Sequence, residues 1–271
     1  MKQQLANKVY LITGATSGIG QATAELAAQQ GAKLVLVGRR QARLEQLAQE
    51  LAQRYQVEVL PVIADLSESV AIEQVVTATM ETFGRIDCLI SNAGFGDFRS
   101  VMENEWQATV AMLQVNVYAM MYLSQLVANQ MLTQGSGQIL LVGSIAGKVP
   151  TPFASAYAAS KSALIGYANA LRLELYGTGI SVTTLNPGPV KTEFFDRNEA
   201  MQNYAQQVAA FTLTAEQVAQ AIIANNLRKP GPKRELNLPW SLNALTKVYS
   251  VFPTIGDYVI VKLFNFKEKN K

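Results

Sequence analysis

Histidine is absent from this chain of 271 residues, and Cys88 is its only cysteine. The first absence excludes a Ser-His-Asp triad, a Cys-His pair and any imidazole metal site. The second excludes an intramolecular disulfide and a thiolate zinc cage. Acid-base work therefore falls to tyrosine, lysine or carboxylates. Charge is also sparse and nearly balanced, with 23 Lys and Arg against 20 Asp and Glu. Only the final KEKNK is a basic cluster, so no nucleic-acid partner is expected. Met1 to Lys8 holds no signal-peptide apolar region, and no apolar segment is expected to span a bilayer, which together place the protein in a reducing cytoplasm.

What is present is a regular alternation. Val9 to Ile12, Lys33 to Val37, Glu58 to Ile63, Ile86 to Ser91, Gln138 to Val142 and Ile180 to Leu185 are β-rich and apolar, as strands covered on both faces should be. Between them Gln21 to Gln30, Gln41 to Tyr55, Glu68 to Phe83, Trp106 to Met131 and Ala156 to Tyr176 carry helical patterns. Right-handed crossovers then give a single-domain α/β fold of Rossmann type, a doubly wound parallel sheet with helices on both faces. The hydrophobic share of 49% supplies its core, and no linker or composition break occurs before about Arg228. Residues 1–228 are read as one domain, and 229–271 as an extension packed on it or at a subunit interface.

The first strand runs directly into TGATSGIG, Thr13 to Gly20, and then into an Ala-rich helix. Gly14, Gly18 and Gly20 permit a tight turn, close approach of backbone to a pyrophosphate and close helix-strand packing, while the helix N-terminus favours the anion. Their spacing is GxxxGxG and departs from the GxGxxG fingerprint. An acidic residue about 20 positions further on would bind the ribose hydroxyls of NAD. Here the second strand ends instead in Gly38, Arg39 and Arg40. A guanidinium makes charge-assisted contacts to a phosphate, so NADP(H) is expected in preference to NAD(H), with Arg39 as first partner and Arg40 as alternative.

A second motif lies in Ser144 to Lys161, SIAGKVPTPFASAYAASK. Tyr157 and Lys161 are four residues apart in a helical stretch and leave the same face. Ser144 follows a buried strand, so a hydroxyl, a phenol and an ammonium can meet at one point. A phenol has an ordinary pKa of about 10, and an adjacent ammonium is expected to lower it.

TGATSGIG, Asp65-Leu66, the NAG of Asn92 to Gly94, Asn116, Ser144, Tyr157-x-x-x-Lys161 and the NPGPVKT of Asn186 to Thr192 together resemble the short-chain dehydrogenase/reductase family, over roughly residues 7 to 228. The resemblance extends to uncharacterised bacterial oxidoreductases of that family. It implies that Thr16, Ser17 and Ile19 join the three glycines in holding the cofactor. Asp65 would bond the adenine amino group, with Leu66 beside it, and Asn92, Ala93 and Gly94 would line the cleft. Pro187, Gly188, Val190 and Thr192 would surround the nicotinamide. Asn116, Ser144, Tyr157 and Lys161 form the implied catalytic set: Tyr157 gives the proton, Ser144 bonds the substrate oxygen, Lys161 tunes Tyr157 and holds the ribose, and Asn116 holds a water connected to Lys161. A small-molecule carbonyl or alcohol substrate and a homodimer or homotetramer, through the helices around 106–131 and 156–176, are implied too. The alternatives are a non-catalytic NADP-binding sensor or scaffold and an NAD-linked alcohol dehydrogenase.

A substrate lid is expected at about 190–213, before a helix beginning near Thr214. Phe95, Phe98, Phe194, Phe195, Tyr204 and Phe211 would make it an apolar wall, suiting a small or medium apolar aldehyde or ketone. In the tail, Pro230 and Pro232 mark a loop and Glu235 to Leu238 a last edge strand. Trp240, Leu242, Tyr249, Phe252, Tyr258, Phe264 and Phe266 follow, mixed with lysines. Three readings stay open for them: packing over the cleft or a subunit interface, amphipathic contact with a membrane surface, and a loosely ordered tail.

Overall fold

The computed structural model describes residues 3–229 and 231–263. Its first six strands are β1 (Val9–Thr13), β2 (Lys33–Gly38), β3 (Val59–Ile63), β4 (Cys88–Ser91), β5 (Gly137–Val142) and β6 (Ile180–Pro187). A two-residue ladder joins β7 (Val190–Lys191) to β8 (Leu213–Thr214), and β9 (Glu235–Leu238) completes the main sheet. That sheet is parallel throughout, in the order β3-β2-β1-β4-β5-β6-β9. The edge strand expected at Glu235 is present, so the sheet draws its last member from the segment after residue 228.

Alternation along each strand sends side chains into two separate cores. Tyr10, Ile12, Leu34, Leu36, Ile90 and Val142 pack against α1 (Gly18–Gln29), α2 (Gln41–Tyr55) and, beyond the lid, the helix at 215–226. On the opposite face Val9, Leu11, Val35, Leu89 and Leu141 meet α3 (Ser69–Phe83), the helical run at 120–134 and the helix at 155–174. Strands apolar on both faces are the physical reason for two helical layers.

The remaining helices are α4 (Trp106–Leu113), α5 (Met120–Gln134), α6 (Ser155–Glu174), α7 (Glu199–Gln207), α8 (Ala215–Asn226), α9 (Trp240–Val251) and α10 (Pro253–Leu263). The start of α8 bears out the expectation at Thr214, which caps it reciprocally with Gln217. A π-helical stretch, Gln114–Ala119, joins α4 to α5 into one rod of 29 residues. That rod holds no Asp, Glu, Lys or Arg, so the expectation that no segment reaches membrane-spanning length is corrected. Its side chains Met112, Asn116, Met120, Leu123, Val127 and Met131 are buried within the protein. The tail forms the two helices α9 and α10, which the aromatic and lysine content had not revealed; Pro230, Phe264, Phe266 and the KEKNK cluster lie outside the described residues.

Because β1 is followed to one side by β2 and to the other by β4, the winding reverses between β1 and β4. A crevice opens there at the carboxyl ends of the strands.

Candidate active site

The turn after β1 is held by its neighbour in the sheet. Thr13 Oγ1 accepts from the backbone N–H of Asn92 and of Ala93, both at 2.9 Å. Asn92 Nδ2 donates in return to Thr13 O at 3.0 Å and Gly14 O at 3.3 Å. Gly14 has φ +63° and Gly18 φ +54°, where L side chains are strained. A Cβ on Gly20 would sit 2.3 Å from Gly14 O, so the third glycine is required by backbone contact. The α1 N-terminus behind this turn has no acidic side chain in its first turn and presents its N–H groups to the crevice.

Ser144, at the end of β5, accepts from Ala146 N at 3.1 Å and donates to Pro187 O at 3.5 Å. Its hydroxyl lies near enough to the phenol of Tyr157 to favour the phenolate. Tyr157 and Lys161 rise from one face of α6, both buried. Lys161 Nζ donates to Val142 O at 2.8 Å and lies 5.8 Å from the centre of the Tyr157 ring. The two groups titrate away from the charged state. Burial pushes the Tyr157 phenol up to about 12, against the lowering effect of Ser144 and with a further rise from Tyr204. Burial brings Lys161 down to about 8. The expected lowering of Tyr157 by its neighbouring ammonium is thus corrected: loss of water raises the phenol, and the ammonium is directed at a carbonyl.

Asn116 sits in the π-helical stretch and is completely buried. Its amide donates to Phe95 O at 2.8 Å and Ser160 Oγ at 3.1 Å, and accepts from Phe95 N at 2.9 Å. Ser160 passes the bond on to Tyr157 O at 2.7 Å. Asn116 thus clamps the segment after β4 to the helix that carries Tyr157. It stands so close to Gly94 that a Cβ there would meet Asn116 Oδ1 at 2.8 Å.

One cavity of about 950 Å³ joins these parts. Of the residues singled out from the sequence, Gly14, Thr16, Ser17, Gly18, Ile19, Arg39, Arg40, Asp65, Leu66, Asn92, Ala93, Gly94, Ser144, Tyr157, Lys161, Pro187, Gly188, Val190 and Thr192 line it. Gly20 and Asn116 do not, and act from behind its wall. Asp65 Oδ1 accepts from Ser67 N at 3.0 Å and Ser67 Oγ at 2.8 Å, and these bonds, chiefly the backbone one, hold its carboxyl below the usual range. The cap of α3 falls on Glu68. Arg39 reaches Asp65 at 3.4 Å and remains largely exposed.

Over the Tyr157 end the lid closes the cavity with aromatic rings. Phe98 lies 5.5 Å from Tyr157 and 5.2 Å from Tyr204, and Phe194 5.7 Å from Tyr157, centre to centre. The β7-β8 ladder pinches the base of this lid, and Asn198 ties it to Asp97 at 2.8 Å. Among the lining residues that sequence reasoning missed are Glu193, in the lid, and Leu245, Val248, Val259 and Ile260 of the tail helices, which stand beside Leu242, Tyr249 and Phe252, singled out from the sequence. The apolar spacing of the tail helices was a usable signal, and packing over the cleft was one of the readings the sequence left open for them.

The sequence profile of the short chain dehydrogenase family matches residues 8–203. An uncharacterized oxidoreductase of Staphylococcus saprophyticus is 38% identical over 189 residues, covering 70% of this chain and 81% of its own. The NADP-dependent 3-hydroxy acid dehydrogenase of Schizosaccharomyces pombe is 37% identical over 228 residues, covering 81% and 87%. The crystal structure of a short chain dehydrogenase/reductase from Burkholderia phymatum in complex with NAD superposes with a TM-score of 0.84 at 26% identity, over 93% of this chain and 96% of that one. A matched profile over most of the chain, relatives above 30% identity and a common parallel sheet have one meaning: the protein belongs to the short-chain dehydrogenase/reductase family of oxidoreductases, acting on CH-OH and C=O groups.

Proposed function

We propose that the protein reduces the carbonyl of a small or medium apolar aldehyde or ketone with NADPH, Tyr157 being the proton donor. The observation that carries this reading is the Tyr157 phenol, beside Ser144 and flanked by Lys161, in the cavity that also holds the glycine turn and Arg39 and Arg40. The cradle fits a dinucleotide: Gly14 and Gly18 hold positive φ in the turn and line the crevice with Thr16, Ser17 and Ile19. Bound there, NADPH supplies the hydride. Arginines in place of an acid after β2 favour it over NADH, in keeping with the name of the Schizosaccharomyces pombe relative.

Burial keeps Tyr157 protonated at neutral pH, which is the form a carbonyl reduction requires. As the substrate oxygen gains negative charge, Ser144 donates to it and Tyr157 gives up its phenolic proton, so the product is the alcohol and the residue left is a phenolate. Lys161, still cationic at pH 7, stabilises that phenolate from the same helix face. Asn116 keeps Tyr157 and the 94–95 backbone in register through Ser160 and Phe95.

The aromatic lid and the tail together favour an apolar substrate. Phe98, Phe194 and Phe195 supply one wall, and Leu242, Val248 and Ile260 supply another, which supports reading the 229–271 extension as a cover for the cleft. The exposed Trp106, Val110 and Tyr118 on the α4-α5 rod support self-association there, as a homodimer or homotetramer in the cytoplasm. The test is NADPH consumption against a panel of aldehydes, ketones, diketones, acyl thioesters and steroids. Turnover of an apolar member is the expected result, and turnover confined to charged or sugar-like carbonyls would overturn the substrate class.

A further inference from the structure

Beyond the end of β2, Glu193 of the lid meets two arginines, Arg40 and Arg43, that are distant from it in sequence. Arg40 Nη1 donates to Glu193 Oε2 at 2.6 Å, and Arg43 Nη1 to Glu193 Oε1 at 2.8 Å and Oε2 at 3.0 Å. Arg40 is fixed further by Thr16, through Nε to Oγ1 at 3.1 Å and Nη2 to the carbonyl at 3.1 Å and to Oγ1 at 3.0 Å. Arg40 is thus anchored to the glycine turn, and together with Arg43 it holds one carboxylate from the lid. Arg39 is differently placed, its one ion pair among the described residues being the long one to Asp65.

We propose that Arg40 and Arg43 form the subsite for the ribose phosphate monoester of NADPH, and that Glu193 is its internal occupant, displaced when the phosphate arrives. This rests on the NADPH reading above. A carboxylate and a phosphate present the same kind of oxygen pair to a guanidinium fork, so the two compete for one set of N–H donors. The arginines and Glu193 are all roughly half exposed, which makes the exchange inexpensive in either direction. The position of Glu193 gives the exchange a second consequence. It follows Thr192 directly and opens the turn Glu193–Arg197, which carries Phe194 and Phe195. Phe194 touches the ring of Tyr157, so freeing Glu193 unfastens the lid at the point where it covers the phenol. A cofactor without the phosphate leaves that fastening intact. Arg43 thereby becomes a specificity residue, although it follows the strand end by a full helical turn.

The experiment is a binding titration, followed by nicotinamide fluorescence at fixed ionic strength, of NADPH and NADH to the wild type, Glu193→Gln, Arg43→Met and Arg40→Met. Adenosine 2′,5′-bisphosphate and adenosine 5′-monophosphate serve as competing probes. Glu193→Gln keeps the size and hydrogen-bonding shape of the residue while removing its charge. The expected result is NADPH and the bisphosphate binding about fivefold to tenfold more tightly to Glu193→Gln, with NADH and the monophosphate unchanged. Arg43→Met is expected to weaken NADPH and the bisphosphate alone, by about tenfold. Equal shifts for both cofactors in Glu193→Gln, or no shift, would overturn the competition while leaving the NADPH reading in place. Equal wild-type affinities for NADPH and NADH, unaltered by Arg40→Met, would instead overturn the NADPH reading itself and the proposal with it.

Discussion

Replacing Tyr157 by Phe isolates a single oxygen, and the structure gives separate magnitudes for its effects on chemistry and on folding. The ring would stay where it is, because Phe98 and Phe194 hold it at 5.5 and 5.7 Å and neither contact involves the hydroxyl. The hydroxyl partner Ser144 keeps Ala146 N and Pro187 O, so its loss leaves no orphaned group. Folding stability should therefore fall by no more than about 1 kcal/mol, a shift of about 2–4 °C in melting temperature. Cofactor affinity should be unchanged within about twofold, since Lys161 and the glycine turn are untouched. The chemical step loses its proton donor and should slow by about 10²–10⁴-fold. Steady-state NADPH oxidation on the best carbonyl of the panel, cofactor titration and thermal unfolding read the three quantities independently. Activity reduced by less than about tenfold, with folding and binding as stated, would refute Tyr157 as proton donor.

Four further outcomes follow from the same geometry. Reduction should decline above pH 8 as Lys161, brought down to about 8 by burial, loses its charge, whereas Tyr157 keeps its proton to about 12; a pH-rate profile flat from 6 to 10 would contradict this. The same shift predicts that Lys161 penalises folding below pH 8, where the unfolded chain holds the proton more readily, and that the penalty lifts as pH rises through the Lys161 values; Lys161→Met should remove that rise from urea titrations taken at pH 7 and 9. Gly20→Ala forces a Cβ to 2.3 Å from Gly14 O and should abolish detectable cofactor binding, so retention of wild-type affinity would disprove the backbone contact. Asn116→Ala should cost about 1–3 kcal/mol in denaturant unfolding by orphaning Phe95 N and O, and lower kcat more than it raises KM because Tyr157 loses its support through Ser160.

The parts of this protein legible from sequence are those that local periodicity encodes. Continuous apolar runs such as Leu34 to Val37 could only be buried on both faces, and α2 was found over the very span, Gln41–Tyr55, that its pattern predicted. Tyr157 and Lys161 share a helix, so their common face followed from a spacing of four. The glycine turn was legible because positive φ and a backbone contact admit no other residue at Gly14 and Gly20. Tertiary structure alone decided what depends on contacts between distant segments. Glu193 meets Arg40 across 153 positions, and nothing local to either residue marks the other. Asn116 was visible as a buried amide, but its attachment to Phe95 and Ser160 depends on where a π-helical stretch turns it. The pKa of Tyr157 was misjudged from sequence because proximity to Lys161 can be read from spacing, whereas desolvation is set by the lid rings and strand ends that enclose the phenol. The apolar pattern of α9 and α10 was present in the chain, yet only the attachment of β9 to β6 brings them over the crevice.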